Sequence, residues 1–219
     1  MTGASTDDRN QTRTSYDAVA RAYAENISGE LDHRPQERHL LQRFAQRCQN
    51  LGAIADLGCG PGHISTYLNQ FHPDVFGLDF SLGCLAQAQL RNREIPWVQG
   101  NMLALPLASG SLAGALGLYS LIHFDLLQVD CALAEMERVL RPGGSLVLGF
   151  HVGTNVEHVD ELWGVPVNLD ARFFLTDDLV ARLSRLNFSV LEKFERAPYP
   201  EVEYPSTRGY IWAVKQSGK

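Results

Sequence analysis

Gly58, Gly60 and Gly62 alternate inside the run I-A-D-L-G-C-G-P-G at 54–62. Glycine at every second position lets a backbone take positive φ and approach a ligand with no Cβ in between. The run reads as a buried strand ending at Asp56, a glycine turn, and a helix opening at Pro61, where no N–H is needed. The free N–H groups of that helix point at the turn. With the Asp56 carboxylate beside it, the loop suits a ligand carrying an amino group, a carboxylate or a ribose. Asp79 closes the next strand-like run, V-F-G-L-D at 75–79, where a carboxylate can accept from both hydroxyls of a ribose. Asn101-Met102 and Tyr119-Ser120 follow the third and fourth such runs. His123 lies just past the fourth and His151 ends the fifth, and a histidine there can take up a proton near neutral pH.

These side chains need strands whose carboxyl ends line up, and the chain supplies them. Strands are expected through Leu57, at 75–79, at 96–99, at 113–118 and at 145–150. Helices alternate with them. Tyr16, Val19, Ala20 and Tyr23 share one helical face, and a helix from Pro35 carries Leu40, Leu41, Phe44, Ala45 and Cys48. Ser81 is a natural N-cap for the helix with Leu82, Leu85 and Leu90. A helix from about Asp125 to Leu140 stops at R-P-G-G, 141–144. Strands alternating with helices of this length imply a parallel sheet covered on both faces. From 151 to 175 the pattern lapses, which reads as a long functional lid loop. Thr176 then caps a helix, and 188–195 and 210–215 read as closing strands. In such sheets the ligand lies at the carboxyl ends of the strands, where strand order reverses.

Two cofactor classes compete for the glycine loop. The dinucleotide fingerprint G-x-G-x-x-G needs its third glycine one place later than Gly62, where His63 stands. The alternative is D-x-G-x-G-x-G. Through A-D-L-G-C-G-P-G at 55–62 the chain resembles class I S-adenosylmethionine-dependent methyltransferases of the small-molecule type. Further matches are Y-D-A-V-A-R-A-Y at 16–23, G-N-M-L-A-L-P-L at 100–107, S-G-S-L-A at 109–113 and R-P-G-G at 141–144. Asn101 replaces the acid usual at its position, though its amide oxygen still accepts a hydrogen bond. Leu112-Ala113 replaces Phe-Asp.

The resemblance implies an α/β, Rossmann-like, doubly wound sheet of seven mostly parallel strands, with an antiparallel edge strand and helices on both faces. It implies a flexible N-terminus at 1–13 and one methyltransferase domain at 14–219. A lid helix is expected at about 14–34 and a lid or acceptor insertion at about 151–175. The expected cofactor is S-adenosyl-L-methionine, with S-adenosyl-L-homocysteine as product. The expected cofactor contacts are Tyr16 and Tyr23 from the lid, Asp56, Gly58, Cys59, Gly60 and Gly62 from the loop, and Asp79, Phe80 and Ser81 after the second strand. Asn101, Met102 and Leu103 follow the third strand, and Tyr119 and Ser120 the fourth. His123 and His151 are the candidates for catalysis. With Tyr119 and Trp163 they are also the candidates for acceptor contact, and Phe173 and Phe174 flank the same stretch.

Composition narrows the partners. The chain has 219 residues, 45% hydrophobic and 20% charged, with a formal charge of −6. That suits one globular domain and argues against a nucleic-acid partner, since no basic stripe offsets the charge. No apolar run reaches a membrane span, and the polar N-terminus is unlike a signal peptide. Cys48, Cys59, Cys84 and Cys131 form no C-x-x-C pair, so reduced thiols in a cytoplasmic protein are expected, without a metal. A monomer or homodimer acting on a small-molecule acceptor at O, N, S or C is the leading expectation. The alternatives are a non-catalytic S-adenosylmethionine-binding regulatory module and an NAD-dependent oxidoreductase.

Overall fold

A computed structural model describes residues 6–200 and 202–217. Nine strands and six helices alternate along them. They run α1 (Thr6–Ile27), α2 (Pro35–Cys48), β1 (Ala53–Leu57), α3 (His63–Leu68), β2 (Val75–Asp79), α4 (Leu82–Arg91), β3 (Trp97–Gln99), β4 (Leu112–Leu118), α5 (Leu126–Val139), β5 (Leu140–His151), β6 (Val156–Leu162), β7 (Val165–Arg172), α6 (Thr176–Arg185), β8 (Phe188–Arg196) and β9 (Arg208–Lys215). Seven strands form one sheet in the order β3-β2-β1-β4-β5-β9-β8, and β6 and β7 form a separate hairpin. The pairs among β3, β2, β1, β4 and β5 are parallel. Antiparallel pairing is confined to one edge, where β9 runs between β5 and β8.

The strands are apolar on both faces because helices cover both. Ile54, Leu116 and Val147 face α2, whose Leu41, Phe44 and Ala45 are fully buried. Their neighbours Ala55, Ala115, Leu146 and Leu148 face α5 and α6, against Val129, Leu133, Met136 and Leu183. Chain order diverges between β1 and β4, so the cleft above their carboxyl ends is the position the topology offers to a ligand.

Local chemistry explains the element ends. Ser81 caps α4 by accepting from the Cys84 N–H at 3.0 Å. Asp125 and Gln128 form a reciprocal capping box at the start of α5. Four expectations shift. Helix α1 begins at Thr6, inside the stretch expected to fray. Helix α3 begins at His63 rather than Pro61, because Gly62 takes a left-handed conformation and the turn extends by two residues. Thr176 is inside α6 rather than capping it, and its hydroxyl donates to Glu195 Oε1 at 2.5 Å. The aperiodic stretch 151–175 holds the hairpin β6–β7. Val165, Val167 and Leu169 alternate with Pro166, Asn168 and Asp170, and the two-residue turn Trp163-Gly164 has φ of 49° and 78°. Its apolar face packs on Val19, Tyr16 and Tyr23 of α1.

Candidate active site

The glycine turn is overhung from two sides. Gly58 has φ 76°, and a Cβ there would fall 2.4 Å from the Ser120 Cβ. Gly60 has φ 52°, and its missing Cβ lies 3.2 Å from the Tyr23 ring. Only glycine satisfies both the backbone and the space. Gly62 differs, since its missing Cβ would meet Trp97 at 2.4 Å and the residue lines neither cavity of the site. Its absent side chain serves packing.

A first cavity of about 400 Å³ opens from this turn along the ends of β2, β3 and β4. Gly58 and Gly60 come from the turn, Asp79 and Phe80 from the end of β2, and Asn101 and Met102 from beyond β3. Tyr119, Ser120 and His123 come from beyond β4, and α1 covers the cavity with Tyr16 and Tyr23. Asp79 accepts from the N–H groups of Gly60 and Ser81, both at 2.8 Å. Burial pushes its pKa up, against those hydrogen bonds. Asn101 Oδ1 accepts from the Leu103 N–H at 2.9 Å, so Leu103 shapes the wall without lining it. Ser81 is buried under Asp17 and likewise stands behind the wall. The Ser120 hydroxyl is buried with no protein partner. A half-buried carboxylate, an amide, an unpaired hydroxyl and a turn with no Cβ at Gly58 and Gly60 match a nucleoside with a polar tail.

A second cavity of about 650 Å³ shares Tyr23, Gly58, Leu118 and Tyr119 with the first. It extends over the ends of β4 and β5 and is lined by Arg34, Asp56, His151, Trp163 and Arg208. Asp56 accepts from Ser65 Oγ at 2.6 Å, and burial pushes it up to about 6. Cys59 borders this cavity rather than the first. Trp163, at the hairpin tip, stacks on Tyr23 with ring centroids 5.4 Å apart. Tyr119 stands between the cavities with φ 56°, a strained conformation for a bulky residue. Phe173 stacks on His151, whereas Phe174 is buried against Phe150 and belongs to the core.

Hydrogen-bond partners fix the His123 tautomer. The Asp170 carbonyl can only accept, so His123 Nδ1–H donates to it at 2.8 Å. The other nitrogen, Nε2, accepts from Tyr16 O–H at 2.7 Å. Burial pushes Tyr16 up and His123 down, so both stay neutral. His123 thereby ties α1, β7 and the turn after β4 together and has no free basic nitrogen. Arg208 can only donate, and its Nη1 lies 2.7 Å from His151 Nδ1 and 3.4 Å from Nε2. Ser206 Oγ lies 2.6 Å from the same Nδ1, so the ring is held between Arg208 and Ser206. Burial and Arg208 push His151 down to about 3. As placed, each histidine is a hydrogen-bonding group, which departs from the base role their residue type suggested.

Three groups were not legible as site residues. Asp17 on α1 accepts from Ser81 Oγ at 2.6 Å and from the Gly83 N–H at 2.9 Å, joining α1 to α4. Its only signal is its place in Y-D-A-V-A. Arg34 and Arg208 lie in segments without motif, and Arg208 reaches the site because it pairs in register with His151. Among the described residues no cluster could hold a metal ion, and no helix is long and apolar enough to cross a membrane. All four cysteines are free thiols.

The strand order, the glycine turn at its switch point and the carboxylate after β2 define a nucleotide-binding α/β protein. Residues 54–144 match the methyltransferase domain family. Over this stretch and in its fold the chain is similar to the class I S-adenosylmethionine-dependent methyltransferases. It is 29% identical over 174 residues to a malonyl-[acyl-carrier protein] O-methyltransferase of Pseudescherichia vulneris, covering 75% of this chain and 66% of that protein. It is 38% identical over 98 residues to a demethylmenaquinone methyltransferase of Beutenbergia cavernae, covering 43% and 39%. The chain thus spans less than two thirds of the length of either relative. The fold is also that of magnesium protoporphyrin IX methyltransferase of Synechocystis PCC 6803, solved with bound SAM, at TM-score 0.72 and 18% identity over 98% of this chain and 100% of that one. A structure of DhpI in complex with SAH matches at TM-score 0.75 and 16% identity, over 97% and 99%.

Proposed function

We propose that this protein transfers a methyl group from S-adenosyl-L-methionine to a small-molecule acceptor. The observation that carries the reading is the pair of cavities meeting at Gly58, Tyr23 and Tyr119, one shaped for a nucleoside and the other lined by charged and aromatic groups. When bound, the sulfonium supplies an electrophilic methyl carbon and a neutral thioether leaving group. Asp79 would hold the ribose hydroxyls, Asn101 and Met102 the base, and the glycine turn with Asp56 the amino-acid end. Ser120 is free to donate into the first cavity, and Tyr119 orients the neck. Tyr16, Tyr23 and Trp163 exclude water from above, and the acceptor occupies the second cavity. Catalysis on this reading is alignment, which lowers a barrier by ~7–11 kcal/mol for well-oriented reactants. His123 closes the lid through Tyr16.

Parallel calorimetric titrations with S-adenosylmethionine, S-adenosylhomocysteine and NAD test the cofactor. Micromolar binding of the first two without NAD is expected, followed by acceptor-dependent formation of S-adenosylhomocysteine. Binding of NAD alone would replace methyl transfer with hydride transfer. Tight cofactor binding with no turnover on any acceptor would leave a regulatory module.

A further inference from the structure

Helix α1 and the glycine turn meet at Gly60, whose missing Cβ lies 3.2 Å from the Tyr23 ring. The first half of the turn is held by β2. The N–H groups of Gly58 and Cys59 both donate to the Leu78 carbonyl, at 2.7 and 3.1 Å, and the Gly60 N–H donates to Asp79 at 2.8 Å. The second half, Pro61-Gly62, leads into α3, whose N-cap is Gly62 and makes no side-chain cap. Helix α1 is fastened to the start of α4 through Asp17. Tyr23 lies about 9 Å further along the helix axis. That fastening therefore leaves the end of α1 above Gly60 to be fixed separately.

Arg91, the last residue of α4, reaches both parts. Its Nε donates to the Pro61 carbonyl at 3.0 Å, and its Nη2 donates to the Ala24 carbonyl at 3.3 Å. Pro61 belongs to the turn, and Ala24 to the last turn of α1. A guanidinium presents its donors as a rigid planar fork, so one side chain can hold two carbonyls of different elements at a set spacing. Its charge also stands at the negative end of the α1 dipole. Burial alone shifts Arg91, downwards, with no carboxylate opposing it. The side chain is half-buried and lines neither cavity, so it works on the elements it joins.

We infer that Arg91 is a positioning residue for the cofactor, tying the end of α1 to the glycine turn so that the turn and its cover act as one unit. The inference rests on the methyl-transfer reading, which puts the amino-acid end of S-adenosylmethionine at that turn. Arg91 acts on the ligand through the spacing of Gly60 and Tyr23. Its contribution shows chiefly as slow release of bound cofactor.

The test follows S-adenosylhomocysteine on the full chain, by calorimetry for affinity and by stopped-flow tryptophan fluorescence for release. Trp163, stacked on Tyr23, is the reporter at the junction. Arg91→Gln should weaken binding about tenfold or more, mostly through faster release. Arg91→Lys offers a point donor in place of the fork and should recover only part of the loss. Tyr23→Leu removes the ring over Gly60. Combined with Arg91→Gln, it should weaken binding less than the product of the two single losses, by at least about twofold. A residue that only stabilised the fold would lower the melting temperature and leave the two losses multiplicative. The native chain supplies a reading that needs no variant: on binding S-adenosylhomocysteine, hydrogen exchange at 24–28 and at 58–62 should slow together. Unchanged release from folded Arg91→Gln overturns the inference, as do multiplicative losses. So does protection of the turn without protection of the end of α1. A native chain that does not bind S-adenosylhomocysteine would instead sink the methyl-transfer reading beneath it.

Discussion

The Asp17 carboxylate accepts the Ser81 hydroxyl at 2.6 Å, joining α1 to the first turn of the helix that follows the Asp79 strand. The same oxygen accepts the Gly83 N–H, and a Cβ on Gly83 would meet the Asp17 backbone at 2.9 Å. Helix α1 and the segment after the Asp79 strand therefore share one anchor. Asp17→Ala removes two hydrogen bonds to a charged group, each worth ~1.5–3 kcal/mol. A lower melting temperature and weaker S-adenosylmethionine binding are expected together, by thermal scan and calorimetry. Loss of stability with unchanged affinity would separate the lid from the cofactor.

Gly58 and Gly110 make a controlled pair. Both have positive φ, but a Cβ at Gly110 meets nothing within 4 Å whereas at Gly58 it meets Ser120. Gly110→Ala should cost only the left-handed backbone, ~1–2 kcal/mol. Gly58→Ala should cost more and abolish cofactor binding. Equal unfolding free energies for the two variants would contradict the crowding at the turn.

Asp79 is the proposed ribose ligand. Asp79→Asn keeps the side chain's shape and loses its charge, so S-adenosylmethionine binding should fall by ~1.5–3 kcal/mol, or roughly 10–150-fold. Calorimetry reads this directly, and an unchanged affinity in a folded variant would move the ribose elsewhere.

Burial pushes Asp56 up to about 6. A carboxyl raised above its unfolded value gives stability that is present below about pH 4 and lost as pH rises through about 6. The shift corresponds to on the order of 3 kcal/mol. Asp56→Asn lacks this titration. The urea-unfolding free energy of the native chain should therefore fall relative to Asp56→Asn between about pH 4 and pH 6.5, then run parallel.

Trp163 touches Tyr23 over the neck, and a stacked aromatic pair is worth ~0.5–1.5 kcal/mol beyond burial. Trp163→Ala should raise acceptor KM roughly 2–12-fold while cofactor affinity changes by less than about threefold. An unchanged acceptor KM in folded protein would remove the hairpin tip from the acceptor site.

The sequence by itself determined the alternating strands and helices, the glycine turn and the carboxylate after β2. These rest on local physics: period-2 and helical apolar patterns, caps at Ser81 and Asp125, and backbone angles that glycine permits. It also placed Tyr119, His123 and His151 at strand ends, because parallel strands end where their apolar runs end. The hairpin was less legible, since its turn is Trp163-Gly164 rather than an Asn-Gly pair and only one of its strands alternates cleanly. Tertiary structure alone decided what the histidines do. His123 became a latch because Tyr16 and Asp170 converge on it from α1 and β7. His151 became a neutral partner of a guanidinium because β9 runs antiparallel to β5 and sets Arg208 directly opposite it. Protonation and tautomer depend on partners and burial, and partners brought together across a sheet leave no spacing in the chain to read.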